Sequence, residues 1–151
     1  MFKKYKELII FVAVVIGLLT IYNLYIRDPD IYFAQSTFEN LVRANQGAQN
    51  AIQWDSFTGM GLNVGKNYLR LPDELQRKTF RKAFITSFSD GFRKIGGKLS
   101  AFGNWRVYSK DAKTMTVAVD YTTYGKTLLF TFSRQPRKLT SVEWEKVVKV
   151  K

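Results

Sequence analysis

The stretch "TFRKAFITSFSDGF", residues 79–92, places Phe80, Phe84, Phe88 and Phe92 four residues apart. At about 100° per residue these rings drift across an arc of roughly 120° on one face of a helix, and Ile85 and Ile95 fall on or beside it. Leu71-Pro72-Asp73-Glu74 reads as the start, with proline in the first turn and two carboxylates against the positive end of the helix dipole. Gly96-Gly97 reads as the stop. A helix with so broad an aromatic face needs an apolar surface to receive it, and the rest of the chain must supply that surface.

After Gly97 the apolar period changes from 3.6 to 2. Trp105 and Val107 are followed by Met115, Val117, Val119 and Tyr121, then by Leu128, Phe130 and Phe132, then by Val142, Trp144, Val148 and Val150. Three turn segments separate them: Lys110-Asp111-Ala112-Lys113, Tyr124-Gly125-Lys126 and Gln135-Pro136-Arg137-Lys138. The pattern predicts an α+β domain, a helix plus a four-stranded antiparallel sheet, with the long helix laid on the sheet. Phe80, Phe84, Phe88, Phe92 and Trp105 are expected to line the space between them. Ahead of that helix, Asp28-Pro29-Asp30 caps a first amphipathic helix carrying Phe38, Leu41, Val42 and Asn45. The glycine-interrupted segment that follows reads as irregular, with Trp54, Phe57 and Tyr68 plugging the core.

The N-terminus carries an uncharged span from Leu8 to Ile26, about 28 Å of helix, close to the ~30 Å hydrocarbon core of a bilayer. Lys3, Lys4 and Lys6 precede it, and Tyr22 and Tyr25 lie near its end. The expectation is a single-pass cell-membrane protein with a signal anchor: residues 1–7 cytoplasmic, 8–26 a transmembrane helix in contact with membrane lipids, and 27–151 an extracytoplasmic domain. The run is longer than a signal-peptide core and no small-residue cleavage pattern follows it.

The chain has no cysteine and no histidine, which removes thiolate chemistry, the commonest general base and the commonest metal ligand. No metal and no cofactor are expected. Asp120, Glu143 and Glu145 are the carboxylates best placed for acid–base work, but Glu143 and Glu145 alternate with Val142 and Trp144 as on the solvated side of a strand. No catalytic residue is assigned. The glycines of "TGMGLNVGKN" lack the spacing of a phosphate-binding loop.

Basic residues outnumber acidic ones, 24 to 12, for a formal net charge of +12. Lys78 and Lys82 project to the polar side of the long helix, whereas Arg77 and Arg81 fall within its aromatic arc. These two require a partner: a stem buried at the rim, a sheet carboxylate such as Asp120, or an anionic ligand at the mouth of the cavity. Arg77, Arg81, Lys78 and Lys82 are thus candidate ligand- or partner-binding residues. An outward-facing domain makes anionic lipid or an envelope polymer the expected class of charged partner, and nucleic acid is not expected. Exposed sheet edges also permit a homo-oligomer.

The Phe80 to Phe92 helix followed by strands at Trp105, Met115, Leu128 and Val142 resembles the nuclear-transport-factor-2-like family of cone-shaped domains over residues 30–149. A cystatin-like domain is the structural alternative. With its apolar N-terminal span, the chain also resembles the inner-membrane scaffold proteins of type IV secretion and conjugation systems. That likeness implies a non-enzymatic scaffold or interaction module assembling with other envelope proteins. The other reading is a binding module for an apolar or anionic ligand in the helix-sheet cavity.

Overall fold

The alternating half of the chain forms four long strands joined by hairpins in a computed structural model that describes residues 2–22 and 28–146. They are β3 (Phe102–Lys110), β4 (Thr114–Tyr121), β5 (Lys126–Arg134) and β6 (Arg137–Trp144). Met115, Val117, Val119, Leu128, Phe130 and Phe132 face one side and are buried, as a two-residue period requires when one face is covered. Register is continuous from β4 to β5, with Val117 opposite Phe130 and Val119 opposite Leu128. A slip by one residue would turn every one of these side chains to solvent.

The sheet is larger than its alternating segments predict. Two short strands, β1 (Thr58–Gly59) and β2 (Leu62–Asn63), extend it to six in the order β2-β1-β6-β5-β4-β3, and β1 runs parallel to β6. The fold is α+β with a six-stranded mixed sheet, which corrects the expected four-stranded antiparallel one. Two-residue strands in a glycine-rich segment carry no alternation to read. Met60 and Gly61 form the turn between them with φ of 50° and 81°, a left-handed geometry that glycine adopts freely.

The helices are α1 (Phe2–Ile21), α2 (Pro29–Val42), α3 (Val64–Leu69) and α4 (Glu74–Lys94). Asp28 caps α2 by accepting from the amides of Asp30 and Ile31. Asp73 caps α4 through the amide of Gln76, and Gly96 leaves it with φ 71°. Against expectation, α2 is the helix that lies on β3 and β4, while α4 packs mainly on α2 and on the 3-10 helix Gln46–Ala51. Phe38 of α2 is the centre of the aromatic core, 4.8 Å from Phe102, 5.4 Å from Phe130 and 5.9 Å from Phe92 between ring centroids. The phenylalanine ladder of α4 is consequently half-buried, and only Ile85 and Ser89 of that helix are fully buried. Ser89 donates to the carbonyl of Val42 at 2.6 Å, tying α4 to the end of α2.

The membrane reading is also corrected. No helix among the described residues is long and apolar enough to cross a membrane. Helix α1 spends its first two turns on Lys3, Lys4, Lys6 and Glu7, and its uncharged part, Leu8 to Ile21, rises only about 21 Å. Residues 23–26 of the predicted span lie outside the described residues. The transmembrane helix, the signal anchor and the cell-membrane localisation with an extracytoplasmic domain are therefore withdrawn. The exclusion of nucleic acid, which rested on that location, lapses with them. Large apolar side chains from Leu8 to Tyr22 are exposed, and none belongs to the buried core.

Candidate functional site

A cavity of about 480 Å³ lies where the C-terminal half of α4 diverges from the sheet. Its walls are Phe88 and Phe92 from α4 and Ile95 just after it, Phe102 and Tyr121 from β3 and β4, and Leu128 and Trp144 from β5 and β6. Met60 and Leu62 form its rim from the β1–β2 hairpin, and both are exposed. The hairpin is held there by the Met60 amide donating to the Val142 carbonyl at 2.9 Å and the Gly61 amide donating to Glu143 Oε2 at 3.0 Å. The volume is that of a small-molecule site, and the surface is almost wholly apolar.

The cavity exists because α2 takes the place on the sheet that α4 was expected to fill. Phe38 occupies the floor, and the rings of Phe102 and Tyr121 stack on each other at 4.4 Å. Gly91, between Phe88 and Phe92, leaves an opening: a β-carbon there would meet nothing within 4 Å. Of the residues expected to line the cavity, Phe88 and Phe92 do so. Phe80 and Phe84 pack instead with Trp54, Phe57 and Tyr68, and Trp105 stacks on Phe130 at 5.6 Å. Tyr121, Leu128 and Trp144 were legible as inward-facing strand positions. The contribution of Met60 and Leu62 had no periodic signal.

The arginines are at the other end of α4. Arg77 and Arg81 both lie over the Tyr68 ring, at 5.6 and 5.9 Å from its centroid. Arg81 donates to the Tyr68 hydroxyl and to Glu74 Oε1, each at 2.7 Å, and the Glu74 carboxylate, with Tyr68, raises its pKa above the ordinary arginine value. Arg77 Nε donates to the Leu71 carbonyl at 3.3 Å. Their aromatic-side position is thus answered by Tyr68 and Glu74, and neither residue reaches the cavity mouth. Lys78 and Lys82 are exposed on the polar side of α4.

Asp120 serves a structural purpose. Its carboxylate accepts from Asn104 Nδ2 at 2.9 Å, Arg106 Nη1 at 3.0 Å and Thr127 Oγ1 at 2.9 Å, and these three bonds, Asn104 first, hold its pKa below the ordinary carboxylate range. The network spans the β3 irregularity between Gly103 and Arg106, where Asn104 has φ 57°. A depressed folded-state pKa gives stability that is present above the unfolded value, about 4, and lost as pH falls through the folded value. The gap in melting temperature between the wild type and Asp120→Asn should therefore narrow as pH drops from 5 toward 2, checked by calorimetry along that series. Glu143 is engaged with the Gly61 amide, and Glu145 lies beside the Tyr108 phenol, whose pKa it raises. No cluster of three or more acidic side chains that could hold a metal occurs among the described residues.

Comparison of the chain with family models, with curated proteins and with solved structures finds no match.

Proposed function

We propose that this domain is a non-catalytic binding module for an apolar ligand held between α4 and the sheet. The observation that carries the reading is the cavity itself: about 480 Å³, open to solvent beside Gly91, and walled by aromatic and aliphatic side chains with hardly a polar atom among them. At about 30 Å³ per water-sized group it holds on the order of fifteen non-hydrogen atoms. Polar chemistry that would act on such a ligand is missing from its walls, where Ser87 is the main hydroxyl apart from that of Tyr121. The anionic part of the earlier expectation loses its support at Arg77 and Arg81, which are engaged by Tyr68, Leu71 and Glu74.

Gly91→Leu tests the reading. A leucine side chain at this position has open space to enter and improves helix propensity by up to about 1 kcal/mol. The variant should be at least as stable as the wild type to urea, yet it should bind the uncharged fluorophore N-phenyl-1-naphthylamine at least about tenfold more weakly, read by fluorescence titration. The exposed apolar side chains of α1 are the same in both proteins, so the difference between the two titrations reads cavity binding. Equal titration curves would overturn the proposal.

A further inference from the structure

The cavity borders a more polar recess at Trp144, which bears on what kind of apolar molecule would enter. β5 alternates, so Lys126 shares the core-facing side with Leu128; the register sets Lys126 opposite Tyr121 and Leu128 opposite Trp144. Tyr121, Leu128 and Trp144 are cavity walls. Lys126 is the next inward position along the same strand, beyond the last apolar one. Its ammonium lies 5.8 Å from the centroid of Trp144 and takes part in none of the ion pairs formed among the described residues.

Trp144 is also common to a second recess, of about 260 Å³, lined by Gly125, Lys126, Thr127 and Glu145 and more polar than the cavity. Trp144 thus borders both an apolar space and a lysine-bearing one. Glu145, the carboxylate in that recess, follows the last residue of β6 and interacts with the Tyr108 phenol. With Glu145 engaged by that phenol, the Lys126 ammonium is the charge in the recess without an ion-pair partner among the described residues.

Resting on the proposed apolar-ligand function, we infer that the site takes a single-chain amphiphile with an anionic head: the tail lies between Phe88, Phe92 and Leu128, and a carboxylate or phosphate meets Lys126 over Trp144. The head remains at the surface, where it keeps most of its hydration, and the tail leaves water. An apolar body with one charge at the rim is the division of labour usual in small-molecule pockets. A cationic head would meet like charge at the same place.

Three twelve-carbon probes below their aggregation concentrations separate this inference from the reading beneath it: dodecanoate, dodecylammonium and uncharged 1-dodecanol. Each is titrated calorimetrically at low salt into the full chain, its Lys126→Gln variant and its Gly91→Leu variant. The expected order is dodecanoate tightest, by about fivefold over dodecanol, with dodecylammonium weakest, and the preference of dodecanoate over dodecanol should vanish in Lys126→Gln. If dodecanol binds and is blocked by Gly91→Leu while dodecanoate shows no advantage, or an advantage that survives Lys126→Gln, the headgroup assignment is overturned and the cavity function stands. If none of the probes binds the wild type, or if Gly91→Leu binds all three as the wild type does, both fail.

Discussion

Replacing Phe38 by alanine should lower the unfolding free energy by about 3–5 kcal/mol, the range for removing a buried phenylalanine from a close-packed core. Phe38 is 2% exposed, and it touches rings from three different parts of the fold. Phe88 and Phe92 approach it edge-on from α4 at 6.5 and 5.9 Å, Phe102 and Trp105 come from β3, and Phe130 comes from β5. Its loss removes the contact that joins α2, α4 and the sheet, so little can collapse into the space. The void would also open into the neighbouring cavity, whose floor Phe38 forms. Urea denaturation measures the loss. A cost below about 1.5 kcal/mol would mean that α4 moves in to refill the site, contrary to the view that α2 holds it off.

The second large effect is expected at Arg137. Asp30, in the first turn of α2, is buried, and Arg137 Nη2 approaches its Oδ1 at 2.8 Å from the start of β6. That oxygen has no well-directed hydrogen bond, so the approach is an ion pair with poor donor alignment. The guanidinium also lies over the Phe33 ring, 5.9 Å from its centroid. Arg137→Met would keep that packing and leave the carboxylate buried without its counter-charge. Loss of one partner of a fully buried pair costs about 3–5 kcal/mol. Arg137 is partly exposed and Asp30 also faces the positive end of α2, so about 2 kcal/mol is the expectation here. The double variant Asp30→Asn with Arg137→Met should recover more than half of the loss in the same denaturation assay, because the unpaired charge is then gone. Additive losses would show that Arg137 acts through packing alone.

How far the fold was legible depended on the range of the signal. Met115, Val117, Val119 and Tyr121 alternate because one face of β4 is buried, and the helical boundaries at Asp73 and Gly96 follow from capping, a matter of a few neighbouring atoms. β1 and β2 were not legible: two residues each cannot display a period, and β1 pairs in parallel with a strand some eighty residues later. The apolar N-terminal run misled for the opposite reason. Its length in sequence, Leu8 to Ile26, exceeds the uncharged length of the helix that the described residues form. Arg77 and Arg81 were flagged as cations on an aromatic arc, yet Tyr68 could not be named as their partner, since it becomes a neighbour only when α3 folds against the start of α4, whereas Glu74 lies two turns before Arg81 on the same helix.

Local pattern alone specified the class of the long segments from α2 onward and the chemistry that is impossible here. Periodicity and capping are local properties of the backbone and its nearest side chains, and a chain without histidine or cysteine lacks the corresponding reactions in any fold. Which helix lies on the sheet is a matter of long-range packing, beyond the reach of local pattern. Phe38 and the phenylalanine ladder compete for the same apolar face, and the choice depends on how whole surfaces pack. With α2 seated there, α4 stands off at its C-terminal end, and the cavity beside Trp144 and Lys126 is the space that this arrangement leaves.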